Sequence, residues 1–221
     1  MLQIKQLNVE IQDYKILKDI NFKINIGDIL GVIGSNGSGK STLLRTIVNL
    51  IPYSGSIHFD LKNAHHFIGF VPEEPIVYID LSVSDNLKLT LLKQGILTNL
   101  DEILKRFNLF HLRKKKARTL SMGQTKRMSI ALAVINNPKI LLFDEPLNGL
   151  DETSELLFYQ LLATNPHDKL IIISSHNLNL IEDFCTKLLF LKNGHSTYFS
   201  SLKEIIDEYG SLNTAYKNYC L

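Results

Sequence analysis

The chain has 221 residues, 45% of them hydrophobic, and a formal net charge of +2. This composition supports a sizeable buried core and excludes an intrinsically disordered chain. A charge of +2 is too small to indicate nucleic acid as an obligatory partner, and the two cysteines, Cys185 and Cys220, suit a reducing compartment. No secretory signal opens the chain, and no apolar run approaches the ~18 residues that span a bilayer. Any membrane role is therefore expected to depend on a partner.

Alternating or continuous apolar residues predict several strands in the first eighty residues. They fall at residues 2–11, 20–26, 29–33, 56–59 and 67–71. The first two strands alternate and are expected to be antiparallel and half-exposed, whereas the third is apolar throughout and is expected to be buried. A helix is predicted from about Lys40 to Leu50, and Pro72 is expected to end the last of these strands.

Residues 34–42, Gly-Ser-Asn-Gly-Ser-Gly-Lys-Ser-Thr, lie between the buried strand and the helix and match the phosphate-loop pattern G-x-x-x-x-G-K-[ST]. The glycines allow backbone amides to converge closely on one anion. Lys40 can reach the terminal phosphates of a nucleotide, and the Ser41 hydroxyl can hold Mg²⁺. A Gly/Ser-rich turn that ends in Lys-Ser by chance is the weaker alternative. The candidate nucleotide-binding residues are Gly34, Ser35, Asn36, Gly37, Ser38, Gly39, Lys40, Ser41 and Thr42.

The rest of the chain alternates between helical and strand patterns. Helical periodicity at 83–92, 100–110 and 122–135 predicts a helical insert over residues 81–136. Strand patterns return at 139–143, 170–173, 188–191 and 197–199, with helical stretches at 152–163 and 178–185. Strands that alternate with helices predict an α/β fold with a mostly parallel sheet, whose ligand crevice lies at the carboxyl ends of the strands.

The segment 140–146, Ile-Leu-Leu-Phe-Asp-Glu-Pro, predicts a fully buried strand that ends in two carboxylates. Asp144 is expected at the crevice edge near the phosphate loop, where it can hold Mg²⁺ through its water shell. Glu145 can orient or deprotonate an attacking water. The alternative is an ordinary strand end with solvated acids, which the neighbouring phosphate loop disfavours.

The segment 120–124, Leu-Ser-Met-Gly-Gln, opens the last helix of the insert. Ser121 and Gln124 have the spacing of a capping box, so one interpretation is simply a well-started helix. The other is an anion site, because an exposed hydroxyl at a helix N-terminus and a glycine, Gly123, suit a γ-phosphate. The residues alone leave both interpretations open.

Five segments in this order resemble the ATP-binding cassette of ABC transporters. They are 34–42, 120–124, 140–146, Leu-Asn-Gly-Leu-Asp at 147–151, and Ser-Ser-His at 174–176. The resemblance covers nearly the whole chain and implies one P-loop NTPase domain of ABC type over residues 1–221. Residues 1–80 and 137–221 would form the α/β catalytic core, a mostly parallel sheet with an antiparallel β subdomain, and residues 81–136 a helical subdomain.

In that family two cassettes pair head to tail and enclose two ATP molecules with Mg²⁺. The resemblance implies that Ser121, Gly123 and Gln124 act on the ATP of the partner cassette, which favours the anion-site interpretation of the helix start. It also implies that Glu145 is the catalytic base and that His176 contacts the γ-phosphate.

The resemblance implies three further kinds of site residue. The metal ligands would be Ser41, Asp144 and Glu73. The family usually has Gln where this chain has Glu73; a carboxylate is an acceptable Mg²⁺ ligand, but it adds negative charge and cannot donate a hydrogen bond. Asp151 matches an acid that communicates across the dimer, and it also suits a helix N-cap. Tyr14 is the nearby aromatic residue for stacking on adenine, although an ungapped match places Ile11 there.

The resemblance therefore predicts an ATP-hydrolysing subunit that powers the movement of a substrate across a membrane through a transmembrane permease subunit. A second cassette, identical or different, would complete the dimer. The helical insert and the loop around Glu73 would dock on the permease, and the subunit would be cytoplasmic, on the inner face of the cell membrane. No nucleic acid partner is expected. The rival is a soluble cassette ATPase that acts on the ribosome or nucleic acid, but such relatives usually carry two cassettes or a long coiled-coil insert.

Overall fold

The computed structural model describes residues 1–60, 68–94, 99–164 and 168–220. The strands are β1 (Leu2–Ile11), β2 (Tyr14–Ile24), β3 (Ile29–Gly34), β4 (Ser54–Phe59), β5 (Ile68–Val71), β6 (Ile140–Asp144), β7 (Leu170–Ser174), β8 (Lys187–Lys192) and β9 (His195–Ser201). The α-helices are α1 (Lys40–Ile47), α2 (Val83–Gln94), α3 (Leu100–Arg106), α4 (Met122–Val134), α5 (Glu152–Thr164), α6 (Leu178–Phe184), α7 (Leu202–Tyr209) and α8 (Leu212–Cys220). Short 3₁₀ turns occur at Phe110–Leu112 and Ala117–Thr119.

A six-stranded sheet of order β5-β6-β7-β3-β8-β9 forms the centre of the molecule. Every neighbouring pair in it is parallel except β8 and β9. β3, β6 and β7 are buried along their whole length, which explains their continuous apolar sequences. The carboxyl ends of these three neighbours meet at one edge, and the register pairs Asp144 with Ser174 there. The predicted α/β fold with a mostly parallel sheet is confirmed.

The central sheet is covered on both faces. On one face, Leu30 and Val32 of β3 join the core shared with α1 and with a second, antiparallel sheet of order β2-β1-β4. On the other face, Ile29 and Ile33 join the core shared with α2, α4, α5, α6, α7 and α8. Alternate residues of one strand therefore connect the antiparallel layer with the helical layer.

The second strand is longer at its start than its sequence pattern predicted. β2 begins at Tyr14 rather than at residue 20, because Gln12 and Asp13 form a two-residue hairpin turn with φ of +49° and +64°. Such turns join strands tightly, but they usually contain Asn-Gly or Asp-Gly, so the signal was not recognised. The strand ends at Ile24, because the next amide, of Asn25, donates to Asp28 Oδ2 at 2.7 Å and turns the chain.

The helical predictions agree in position and differ at the ends. α1 ends at Ile47 rather than Leu50, and α3 ends at Arg106 rather than residue 110, shortly before Asn108 adopts a left-handed φ of +51°. The strand predicted at 67–71 is described from Ile68 onward, since residue 67 lies outside the described ranges.

The two C-terminal helices, α7 and α8, were not predicted from the sequence. α7 begins with a capping box in which Ser201 and Glu204 bond reciprocally to each other's backbone amides, and it ends at Gly210 in a left-handed conformation. Both features are visible in the sequence as helix start and stop signals. Within the described part of the chain, no helix combines the length and the apolar character needed to cross a bilayer.

Candidate functional site

A cleft of about 540 Å³ opens at the carboxyl edge of the central sheet. The phosphate-loop part of its lining comes from residues between 36 and 42. The other lining residues come from separate segments and are Ile16, Glu73, Glu145, Asn148 and His176. The volume falls within the usual range of ligand pockets.

The phosphate loop connects β3 to α1 through two glycines in the left-handed region. Gly37 has φ +79° and Gly39 has φ +108°. A Cβ atom on Gly39 would lie 2.7 Å from Leu17 Cδ2, so the loop can pass over β2 only with glycine at this position. Among the described residues no side chain caps the start of α1, and its first turn holds no acidic residue. The free amides of this turn are therefore available to an anion.

Lys40 is buried at the floor of the cleft. Its ammonium donates to the carbonyl oxygens of Gly34 at 2.9 Å and Ser35 at 3.3 Å, and it lies 3.5 Å from Glu145 Oε1. Both charged side chains of this pair are less than 10% exposed, at 7% and 8%. The lysine therefore connects the phosphate loop to the acid at the end of β6, and phosphate oxygens would compete with Glu145 for it.

Asp144 has a fully buried carboxylate that receives two hydroxyl hydrogen bonds. Its Oδ1 accepts from Ser41 Oγ at 3.0 Å and from Ser174 Oγ at 2.6 Å, while its Oδ2 is buried with no hydrogen-bond partner among the described residues. An unpartnered anionic oxygen beside a serine hydroxyl fits the water shell of Mg²⁺. The described residues contain no group of three or more His, Cys, Asp or Glu side chains at metal-binding distances. Mg²⁺ tolerates this, because it usually takes one or two protein ligands besides phosphates and waters.

Glu145 has a strained backbone and a fixed carboxylate. Its φ of +43° lies in the left-handed region, which costs a residue other than glycine about 1–3 kcal/mol and is found most often at functional sites. Its amide donates to the carbonyl oxygen and to Oγ of Ser174, at 3.1 Å each. The carboxylate lies between Lys40 and His176, whose Nδ1 is 2.9 Å from Oε2. The four predicted residues Lys40, Asp144, Glu145 and His176 are thus brought together.

Glu73 lies at the mouth of the cleft, where its Oε1 accepts a hydrogen bond from Asn148 Nδ2 at 3.1 Å.

Lys126 of α4, which was not predicted from the sequence, lies behind Glu73 and is 1% exposed. Burial lowers the pKa of Lys126, and the negative charges of Asp144, Glu73 and Glu145 oppose this effect. The sequence carried no clear signal for Lys126, because Thr125 and Arg127 flank it in the same helix. Ser174 and Asn148 were also missed as individual residues, because only their position in space relates them to the acids.

The start of α4 lies outside the cleft of its own chain. Ser121 and Gln124 form the complete capping box, with both reciprocal bonds present. A Cβ on Gly123 would lie 3.3 Å from Asp151 Oδ2, so this helix start packs against the 147–151 loop. Asp151 Oδ1 accepts hydrogen bonds from the amide and hydroxyl of Ser154, which cap α5 and lower the pKa of Asp151. The structure thus supports the helix-start interpretation, while the anion-site interpretation stays a prediction about a second chain.

Tyr14, the predicted adenine contact, is the first residue of β2 and is 74% exposed. It is not among the residues that line the cleft. Ile16 is, because it is the extra residue of a bulge between the pairs Glu10–Lys15 and Val9–Leu17. Bulges commonly redirect a side chain next to a site. The stacking role of Tyr14 stays a prediction.

Comparison with known protein families gives a match to the family model described as ABC transporter, over residues 17–148. This range includes the phosphate loop, the start of α4 and the two acids at the end of β6. An uncharacterized ABC transporter ATP-binding protein of Methanocaldococcus jannaschii is 31% identical over 211 residues, which cover 92% of this chain and 79% of the relative.

Two further similarities agree with this match. The zinc import ATP-binding protein ZnuC of Haemophilus influenzae is 35% identical over 187 residues, covering 82% of this chain and 68% of that protein. Among solved structures, the dimer of an ATP-binding cassette in a post-hydrolysis state, bound to ADP and Pi, superposes with a TM-score of 0.81 and is 27% identical. That alignment covers 91% of this chain and 99% of the solved one.

Replacing Lys40 with alanine is expected to abolish nucleotide binding, because the cleft loses the ammonium that lies between the loop and Glu145. Binding of a fluorescent ATP analogue to purified protein measures the effect. Lys23→Ala, at an exposed position of β2, is the matched control and should bind as the unmodified chain does. Unchanged affinity in Lys40→Ala would place the phosphates elsewhere.

Gly39→Ala is expected to destabilise the chain more than Gly37→Ala. Both positions have positive φ, which costs alanine about 1–2 kcal/mol. Of the two new methyl groups, the one at Gly39 meets a core side chain, 2.7 Å from Leu17 Cδ2. At Gly37 no described residue beyond the two chain neighbours lies within 4 Å of a Cβ. Urea unfolding followed by circular dichroism gives the two free energies of unfolding. Equal losses would contradict the close approach of β2 to the loop.

Proposed function

This chain belongs to the ABC transporter family of ATP-binding proteins, and we propose that its cleft hydrolyses ATP to drive a substrate across a membrane through a partner. The observation that carries the proposal is the convergence of an anion-binding loop, buried Lys40 and Glu145 on one cleft. Asp144, at the end of β6, accepts a hydrogen bond from Ser41 of the same cleft. Each is a part that phosphoryl transfer requires.

The residues divide the chemistry among them. The amides of residues 36–42 and the ammonium of Lys40 hold the phosphate chain. Glu145 accepts a proton from water as the water oxygen attacks the γ-phosphorus, and the bond to the bridging oxygen breaks to give ADP and phosphate. His176, 2.9 Å from the Glu145 carboxylate, keeps that carboxylate oriented. Removal of the γ-phosphate from Lys40 allows the 3.5 Å ion pair with Glu145 to form again.

Ser41, Asp144 and Glu73 are the residues that would hold Mg²⁺. When bound, the ion supplies positive charge that offsets the charge developing on the phosphate oxygens. The unpartnered Oδ2 of Asp144 supports this assignment, as does the position of Glu73 at the cleft mouth. Tyr14 is proposed to lie against the adenine, next to Ile16 of the lining.

The second half of the site comes from another cassette, identical or different, in a head-to-tail dimer. Ser121, Gly123 and Gln124 lie outside their own cleft, and Ser121 is exposed at the N-terminus of α4, where an anion binds favourably. Asp151 packs against Gly123 and would sense the partner. A dimer is the assembly of the solved cassette described above, which supports this arrangement.

A transmembrane permease subunit is proposed to dock beside the 72–82 segment. Three large apolar side chains are exposed there, Ile76 at 76%, Tyr78 at 53% and Ile79 at 58%. Buried Asn86 shapes this surface, since its side chain accepts from the Tyr78 amide and donates to the Tyr78 and Ser82 carbonyls. An exposed apolar surface that is held rigid is typical of a protein interface. Docking would place the subunit on the cytoplasmic face of the membrane.

Glu145→Gln is expected to stop hydrolysis and to accumulate an ATP-bound dimer, because the amide still fills the space but cannot accept the proton. Size exclusion with multi-angle light scattering under saturating Mg-ATP measures the mass. Glu182→Gln, at an exposed position of α6, is the control and should stay active and monomeric under the same conditions. A monomeric Glu145→Gln would count against the paired-cassette mechanism.

Glu73→Gln is expected to change the Mg²⁺ dependence of ATPase activity more than ATP affinity. The amide keeps an oxygen that can accept from Asn148 Nδ2, now 3.1 Å from Glu73 Oε1, but it removes one negative charge near the metal ligands. Activity titrated with MgCl₂ at fixed ATP measures the shift. Glu74→Gln, its exposed neighbour, is the matched control. Identical Mg²⁺ titration curves for both variants would show that Glu73 does not influence the metal.

A further inference from the structure

Lys126 makes three hydrogen bonds to backbone carbonyls that lie far apart in the sequence. Its ammonium donates to the carbonyl oxygens of Glu73 at 2.8 Å, Pro72 at 3.2 Å and Glu145 at 3.4 Å. The first two carbonyls follow β5 and the third follows β6. We call Lys126 with these three carbonyls the Lys126 clamp.

The chemistry of this contact favours a positioning role over general stability. An ammonium has three N–H donors and no acceptor, so three carbonyls satisfy it fully. Burying a cation is nevertheless costly, and an apolar side chain of similar length would fill the same space at lower cost. Lys126 is only 1% exposed, so its charge is buried. We attribute the presence of a charged residue here to the hydrogen bonds that connect α4 to two other segments.

The clamp holds the carbonyl group of Glu145, while Ser174 holds its amide. The Glu145 amide donates to the carbonyl oxygen and the Oγ of Ser174, and its carbonyl accepts from Lys126. Between these two fixed groups the residue keeps its φ of +43°. The direction of the carboxylate follows from that backbone conformation, so a shift of Lys126 moves the proton acceptor.

The same clamp fixes the segment that carries Glu73. Lys126 donates to the main-chain carbonyls of Pro72 and Glu73, and the side-chain Nδ2 of Asn148 donates to the Glu73 carboxylate. The backbone N–H of Asn148 donates to the Glu145 carbonyl at 3.3 Å. The segments after β5 and β6 are therefore connected in two ways, by Lys126 of α4 and by Asn148.

We propose that Lys126 is a positioning residue that transmits movement of the α4 N-terminus to the Glu145 backbone and to the Glu73 segment. Ser121 caps α4 five residues before Lys126, roughly 7 Å along a helix, so both move as one rigid unit. The N-terminal end of this unit would contact the partner's nucleotide, while Lys126 fixes the position of Glu145, the proton acceptor, in its own cleft. This inference rests on the proposed function for the dimer.

Two substitutions separate positioning from packing. The Met and Gln side chains both end one atom short of the lysine Nζ, so they have the same reach. Lys126→Met cannot donate a hydrogen bond, while Lys126→Gln keeps two N–H donors. We expect Lys126→Met to bind ATP within twofold of the unmodified chain and to lose at least tenfold in kcat, with most of kcat recovered in Lys126→Gln. Lys203→Met, on the exposed side of α7, is the control and should change neither value. An unchanged kcat in Lys126→Met, or equal losses in the Met and Gln variants, would overturn the proposal.

A second measurement does not require turnover. The amides of Glu145 and Asn148 donate to the carbonyl oxygens of Ser174 and Glu145. In nucleotide-free protein, hydrogen exchange at these two amides should be at least tenfold faster in Lys126→Met than in Lys203→Met, with an unchanged rate in the β3 core. Unchanged exchange in Lys126→Met would refute the clamp whatever the ATPase activity of that variant. An unmodified chain without ATPase activity would refute the proposed function, and the exchange result would still decide the clamp.

Discussion

The buried carboxylate of Asp144 is the constraint around which the site is built. It is fully buried, and its Oδ1 receives hydroxyl hydrogen bonds from Ser41 of α1 and Ser174 of β7. A carboxylate at this depth is tolerable only with such partners, so it fixes the relative positions of β6, β7 and the phosphate loop. The other oxygen, Oδ2, has no hydrogen-bond partner among the described residues. A cation that arrives with the nucleotide would compensate its negative charge.

The next residue combines backbone strain with electrostatic restraint. Glu145 adopts a left-handed conformation, and hydrogen bonds at its amide and its carbonyl hold that conformation in place. Its carboxylate is shared by Lys40 and His176, so the proton acceptor is paired with the same lysine that phosphates would attract. In the proposed reaction, nucleotide binding would free the Glu145 carboxylate, because phosphate would compete for Lys40.

In the proposed dimer each cleft is completed by the partner chain, and the fold is consistent with this arrangement. Ser121 and Gly123 start α4 away from their own cleft and pack towards the 147–151 loop. The same helix carries Lys126, which donates to the main-chain carbonyl oxygen of Glu145, the proposed base. A single rigid element thus connects the surface that a partner would contact with the base that the reaction needs. Hydrolysis that waits for dimerisation is the expected consequence.

The sequence alone determined the α/β class, the phosphate loop, the paired acids and the family, because these depend on local patterns with fixed spacing. It missed the early start of β2 and the helices α7 and α8, where turn and capping signals were weak or overlooked. Lys126, Ser174 and Asn148 became functional candidates only in the tertiary structure. Their roles arise from strand register and from hydrogen bonds across separate segments, with Lys126 reaching a carbonyl 54 residues away and Ser174 a carboxylate 30 residues away. No local pattern encodes such contacts, since packing alone brings those atoms together.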